Sequence, residues 1–532
     1  MSFGEAAAMI AIPRRAALAG LASIPLAALS VASVYLAATF LNLVRTFPFS
    51  LDWSEISRYY QASFYFAKQI YGVSLPLPVT HPSRYLLQSF PFLISASPIW
   101  LHRLWQAILW IGMPLLTGWL LARRFRITGS LLFAFVLWSF LFLMQGAVFY
   151  HLLPCVFIIL IGFDKKRFWR SFFFVAVASI WAGVSRVNWF PVPGVVAALF
   201  YILGTKPTIP KNVLSFQYLW QPMVYALGGT ISALGTYVLY IRLSGVREIS
   251  QFGSAFTSSL LWERLLPNDA FPLGIFLGIA LVSAPLFVLL WLRVRRKNPL
   301  GLWRAIGVAA LLAVFFAGGL VVSVKIGGGT NLHNMDGFMA LLWITASLLA
   351  FGEIVSVSKL ARLKVPASLT VSLVAVPILF AVFSGAPLNL PTQKSSDQDL
   401  IQIQQLADEA LGKGGDVLFI SQRHLLTFHL IKNVPLVPEY EKLFLMEMAI
   451  SNNQTYLANF QHDIDQQRFT LIITDPLFGK IEDFDEDVLA PENNAWVRNV
   501  SRPILCAYEP VVTYADLNIQ ILTPRYGDKC NQ

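Results

Sequence analysis

Charge is what this chain has least of. Of its 532 residues only 13% are Asp, Glu, Lys or Arg, while 56% are hydrophobic. A water-facing surface on a chain of this length needs about 25% charged residues, so a wholly soluble fold is excluded. Acids are scarcest in residues 1–385, which hold nine: Glu5, Asp52, Glu55, Asp164, Glu248, Glu263, Asp269, Asp336 and Glu353. Cysteine is nearly missing. Cys155 stands in an apolar block, and Cys506 and Cys530 lie near the C-terminus, where they either pair in an oxidising compartment or remain thiols. No C-x-x-C pair or other zinc spacing occurs. No Gly-Lys-Ser/Thr occurs either, which removes a phosphate-binding P-loop. A basic stripe with interleaved aromatics is also lacking, and no nucleic-acid partner is expected.

Long apolar blocks with short basic punctuation fill the first 385 residues, the pattern of transmembrane helices. The run Ala16–Val44 follows Arg14 and Arg15. It exceeds the ~7–15-residue apolar region of a signal peptide and reads as an uncleaved first span. Further blocks near 98–122, 129–146, 150–163, 171–184, 191–203, 222–243, 274–293, 305–324, 337–351 and 367–385 bring the expectation to about eleven spans, several of them shorter than the ~20 residues of a full crossing. Alternate connections carry Arg123-Arg124-Phe125-Arg126, Lys165-Lys166-Arg167, Lys206 with Lys211, Arg293 to Lys297, and Lys359 with Arg362 and Lys364. The positive-inside rule assigns these and the N-terminus to the cytoplasm. An odd number of spans then leaves the tail outside.

The expected fold class is a polytopic α-helical membrane protein of the plasma or inner membrane. Residues 1–387 form the transmembrane domain, with a long first external loop at 46–98. Residues 388–532 form a soluble extracytoplasmic α/β domain. Residues 386–532 carry 20 acids and 11 bases, against 9 and 29 in the rest, so the two parts differ in sign. In the tail, Leu400–Leu411 has helical spacing, as do 440–451 and 454–467. Asp416–Ile420 and Thr470–Thr474 read as strands, and 504–513 and 517–523 as closing strands.

Polar chemistry concentrates at three places on the external side. The first external loop opens with Asp52-Trp53-Ser54-Glu55, whose two acids share a helix face. Such a pair serves as general acid or base, or equally as a capping-box variant that satisfies backbone N–H groups. Trp53, Ile56, Tyr60, Phe64, Ala67 and Tyr71 fall on one face, suited to lying along the membrane interface. His81, Arg84, His102 and Arg103 in the same region could meet an anion. The second place is Lys325 to Gly337, where three glycines precede Asn331, His333, Asn334 and Asp336. This suits a phosphate or sugar site, or a capped turn. His333 and Asp336 alone are too few for a metal site. The third is Ser185-Arg186-Val187-Asn188-Trp189, in which Arg186 either forks onto a phosphate or snorkels to headgroups. His151 stands at another external turn, where a packed histidine is the ordinary reading.

A long first external loop with Asp52 and Glu55 just after span one, about eleven spans and an external C-terminal domain together resemble the GT-C superfamily of polyprenyl-phosphate-sugar-dependent membrane glycosyltransferases. The resemblance implies inverting transfer of a sugar from a polyprenyl-phosphate carrier to a glycan, lipid or protein acceptor at the outer face. It makes Asp52 the general base, with Glu55 as partner or substitute. Arg186 and Lys325, then Arg58 and Arg84, would offset the phosphate charge, and Asn331, His333, Asn334, Asp336 and His81 would meet sugar or acceptor. No cofactor is required, and a divalent metal is left open. The rival readings are a transporter, which would place its ionisable groups at mid-membrane, and a non-catalytic scaffold of the same shape.

Overall fold

Apolar runs become helices here because hydrocarbon offers no partner to backbone N–H and C=O groups, so each segment has to satisfy its own. The computed structural model describes residues 24–52, 54–146, 148–205, 216–246, 262–295, 300–324, 329–351, 365–383, 393–483 and 489–526. The first part of the chain comprises α1 (Ile24–Leu41), α2 (Glu55–Ser63), α3 (Ala67–Tyr71), α4 (Pro82–Ser89), α5 (Ile99–Arg124), α6 (Ser130–Gln145) and α7 (Pro154–Gly162). There follow α8 (Phe168–Gly183), α9 (Val192–Gly204), α10 (Phe216–Ser244), α11 (Gly274–Arg295), α12 (Leu302–Ser323), α13 (Asp336–Phe351) and α14 (Ala367–Phe383). Seven helices are long and apolar enough to cross a membrane: α1, α5, α10, α11, α12, and α9 and α13 when the 3₁₀ turns that lead into them are included. They point to an integral membrane protein. Shorter apolar helices α6, α8 and α14 accompany them.

Helix α13 is the hub, buried along nearly its whole length by neighbouring helices. Small residues let the others close in. A Cβ on Gly194 of α9 would lie 2.2 Å from the Tyr225 carbonyl oxygen of α10, so only glycine permits that approach. Arg124 donates to the Leu160 and Phe163 carbonyls, and Lys165 to the Gly204 carbonyl at 2.8 Å. Cations thus sit on helix C-termini, where the backbone dipole favours them. All of these lie at the end of the bundle opposite Asp52 and Asp336.

The tail is α15 (Gln393–Gly412), β1 (Asp416–Phe419), α16 (His424–Thr427), α17 (Lys442–Ile450), α18 (Gln454–Asp465), β2 (Phe469–Thr474), α19 (Ala490–Trp496), α20 (Arg502–Ala507), β3 (Tyr508–Tyr514) and β4 (Ile519–Pro524). Its sheet has the order β1-β2-β4-β3, with β1 and β2 parallel and the other pairs antiparallel. Residues 504–507, expected in a strand, are helical: a short apolar run such as Ile504-Leu505-Cys506-Ala507 has no period that separates the two states. The Cys506–Cys530 alternative cannot be followed, since Cys530 lies outside the described residues.

The boundary near 388 is not a clean division. Phe47 and Phe49 of the first loop are buried in the tail's own core beside Ile403, Val417 and Ile519. The face of α2 and α3 expected to rest on lipid is also covered by the tail. Arg423 donates to the Tyr60 hydroxyl at 2.8 Å and lies over its ring, and the Tyr71 and Thr427 hydroxyls meet at 2.7 Å. An amphipathic stripe announces that something apolar covers it, not whether that is lipid or protein.

Candidate functional site

Asp52 and Glu55, three positions apart in sequence, occupy opposite environments. The Asp52 carboxylate accepts the Glu55 N–H at 2.8 Å, while Glu55 accepts the Leu51 N–H at 2.5 Å, so each carboxylate caps a backbone donor of the turn that leads into α2. Beyond the cap they diverge. Glu55 is 1% exposed and gripped by Arg103 through N–H···O contacts of 2.9 and 3.2 Å. Arg103 spends its remaining donors on the Arg45, Phe47 and Phe49 carbonyls. This pair is a fastener for the first loop. Neither the expected role of Glu55 as substitute base nor that of Arg103 as anion ligand fits such saturation. His102 is likewise enclosed, bonded to Ser97 and packed by Phe92 and Phe428.

Asp52 stays accessible, with 42% of its side chain exposed. Arg58 reaches it at 3.1 Å, and Ser54 donates its hydroxyl at 2.8 Å. Burial raises the Asp52 pKa, but the Arg58 guanidinium, the Ser54 hydroxyl and the Glu55 amide outweigh it and hold the carboxyl below the ordinary carboxylate range. The group is therefore ionised at neutral pH. It opens into a narrow cleft with a free volume of about 10 Å³, also lined by Arg58, Gln106 and Trp110, with Phe40 of α1 and Leu43 just after it. One wall of the cleft is thus the apolar surface of two candidate spans.

Trp110 connects this cleft to a second group. Its ring lies 5.1 Å from both Phe149 and Tyr150. Arg84 lies 5.3 Å and Arg186 5.8 Å from the Phe149 ring centre, and the His333 ring is 6.3 Å away. Phe149, not singled out by the sequence, is therefore the centre of a cationic basin. His151 stacks on Phe149 at 5.7 Å and His81 on His151 at 5.9 Å.

The Arg186 and Asn331–Asp336 segments, distant in sequence, form one network. Arg186 donates to Asp336 at 2.7 Å and to Asn334 at 3.0 Å, and Trp189 Nε1 donates to Asp336 at 2.9 Å. Asp336 opens α13, accepts its own helix's Gly337 N–H, and is wholly buried. A carboxylate so enclosed anchors the helix start and is not positioned to touch sugar or acceptor. Asn334 is sealed with it. Asn331 and His333 remain at the surface, where Asn331 accepts the His333 N–H. Arg186, expected first as a phosphate ligand, is largely committed, and Arg84, expected second, is the less committed cation. Lys325, Gly327 and Gly328 lie outside the described residues. Gly329 has φ +80°, and a Cβ there would lie 2.8 Å from Cβ of Arg264. Arg264 is itself buried and paired to Glu492 of the tail, so that glycine serves close packing under the tail.

The sequence missed the tail's part in holding α2. Gln422 exchanges hydrogen bonds with Ser50, His424 Nε2 donates to the Pro48 carbonyl at 2.9 Å, and Ser57 donates its hydroxyl to Glu441. Glu441, at the N-cap of α17, thus reaches across to α2. The only local signal is Gln422 at φ 57°, which a sequence does not display. Among the described residues no three His, Cys, Asp or Glu gather as a metal would require. Comparison of the chain with models of known families gives no match, and comparison with curated proteins gives none.

Proposed function

We propose that this chain is an integral membrane glycosyltransferase of GT-C type, moving a sugar from a polyprenyl-phosphate carrier to an acceptor hydroxyl. In this reading the apolar helices make about eleven crossings, the basic end faces the cytoplasm, and the tail is extracytoplasmic. The observation that carries it is Asp52: an accessible, ionised carboxylate in a cleft walled by span surfaces, with Arg58 beside it and Arg84 beyond Trp110. General-base chemistry needs such a carboxylate, and a departing phosphate needs nearby fixed cations.

The acceptor hydroxyl attacks the anomeric carbon from the face opposite the phosphate. The new C–O bond forms as the old one breaks, and the electron pair leaves on the phosphate oxygen. Asp52 receives the hydroxyl proton. With its pKa held low by Arg58, it accepts that proton late, as attack makes the hydroxyl acidic. Glu55, held by Arg103, keeps the loop closed.

The full chain in detergent or liposomes, supplied with a panel of polyprenyl-phosphate sugars, is expected to transfer or release sugar from at least one. A well-folded preparation inactive on every donor would remove the reading. A second reading draws on the same hydrogen bonds: Asp52 caps α2 and pairs with Arg58, which suits a non-catalytic scaffold that binds lipid phosphate.

A further inference from the structure

A roomier cavity lies at the other end of the bundle, between α9, α10 and α12, with a free volume of about 150 Å³. Val195, Ala198 and Leu199 of α9, Leu219 of α10, and Val308 and Leu311 of α12 make its walls apolar. A cavity of this size with such walls stays dry and takes hydrocarbon. Its lining runs along α12 from Trp303 to Leu311, about 12 Å of helix. The space is long and thin, a crevice suited to a chain.

Glycine keeps the crevice open. A Cβ on Gly307 would meet no atom of another helix within 4 Å, whereas one on Gly194 would strike α10. Gly307 therefore serves no helix contact, although glycine weakens a helix interior. It is exposed, as are Leu302, Trp303 and Ile306 around it. The three helices are all among those long and apolar enough to cross a membrane, so the medium outside the crevice is lipid.

One end of the crevice is polar. Arg304 donates to the Leu203 carbonyl at 2.9 Å and to the Ile202 carbonyl, and the Tyr218 hydroxyl donates to the same Ile202 carbonyl at 2.6 Å. Trp303 beside them is of the type that anchors at a membrane interface. Lys165 caps Gly204 close by, and Arg293 and Arg295 lie in the last turn of α11. The headgroup level at this end is therefore cationic. Basic pockets between spans attract anionic lipid headgroups.

We propose that this crevice holds one acyl chain of an anionic phospholipid from the leaflet at the basic end, with the lipid phosphate beside Arg304. The site lies at the end of the bundle opposite Asp52 and stands or falls independently of the transferase reading.

The test is native mass spectrometry of the full chain, stripped of lipid in detergent and titrated with dioleoyl phosphatidylglycerol or dioleoyl phosphatidylcholine. Phosphatidylglycerol should be retained about fivefold more tightly than phosphatidylcholine, the scale of one cation at the headgroup. Gly307→Leu closes the mouth and Ala198→Leu fills the crevice from α9, so each should lose the retained lipid, while Gly307→Ala keeps it. Should Gly307→Leu fail to fold, Ala198→Leu carries the test. Equal retention by wild type and the folded, filled variants would overturn the crevice, and equal affinity for the two lipids would overturn the anionic headgroup. Farnesyl phosphate displacing phosphatidylglycerol at equal concentration would make the crevice a donor site and overturn the phospholipid. Lipid retained by wild type and lost by the filled variants, with no sugar transfer, leaves this site and removes the transferase. Transfer by a chain that retains no phospholipid does the reverse.

Discussion

Arg186 and Asp336, 150 positions apart, meet at 2.7 Å with the carboxylate wholly buried at the start of the central helix. Trp189 and the Gly337 amide complete the shell around the carboxylate. The pair fastens the α8–α9 turn to α13 and so shapes the basin around Phe149.

Removing one partner leaves the other charge uncompensated in the interior. Arg186→Met is expected to cost about 3–5 kcal/mol, read as a fall in the thermal midpoint in detergent. Arg186→Met with Asp336→Leu should recover part of the loss, since no buried charge remains. A double variant no more stable than the single one would contradict this account of the pair.

The tail is part of the fold of the first loop. Phe49 is fully buried among tail residues, so Phe49→Ala should cost about 3–5 kcal/mol. A chain ending at residue 387 should not give a folded membrane part, because Phe47, Phe49 and Tyr60 lose their cover. Size-exclusion chromatography of the truncated chain checks this, and a monodisperse, thermally stable product would count against it.

Acid should loosen the same joint. Burial, with Arg103 nearby, lowers the His424 pKa to about 4 despite the Glu55 charge and the Pro48 carbonyl. Its folded pKa lies below the unfolded value of about 6.5, so the stability it contributes is present above pH 6.5 and is lost as pH falls towards 4. The loss is about 3 kcal/mol when complete. Melting curves between pH 7 and 4 should show it, and His424→Gln should flatten that dependence. An unchanged slope in the variant would assign the acid sensitivity to other groups.

Much of this was legible in residue patterns. Eleven apolar blocks each contain a helix, because hydrocarbon leaves the backbone no alternative. Tail elements at 400–411, 416–420, 454–467 and 470–474 follow their apolar periods closely. Long-range pairing was not legible. Nothing local tells Glu55 from Asp52, yet Arg103, 48 positions away, buries one and leaves the other open. The Asn331–Asp336 segment reads as a ligand site because it is polar, although half of it is consumed by Arg186 and a helix start. His151 reads as a packed histidine, and only its surroundings show that packing leaves both nitrogens without a hydrogen-bond partner among the described residues.

The central claim is that Asp52, and not Glu55, carries the proton. Asparagine can still accept the Glu55 N–H, and Asp52 is the exposed member of its pair with the buried Arg58, so Asp52→Asn should melt within about 1–2 kcal/mol of wild type. Sugar transfer from a polyprenyl-phosphate donor, measured side by side for wild type, Asp52→Asn and Glu55→Gln, tests the claim most directly. The account predicts near-complete loss of turnover in Asp52→Asn at unchanged stability. For Glu55→Gln it predicts a lowered thermal midpoint, with turnover retained by the molecules that remain folded. Equal turnover by Asp52→Asn and wild type would contradict it.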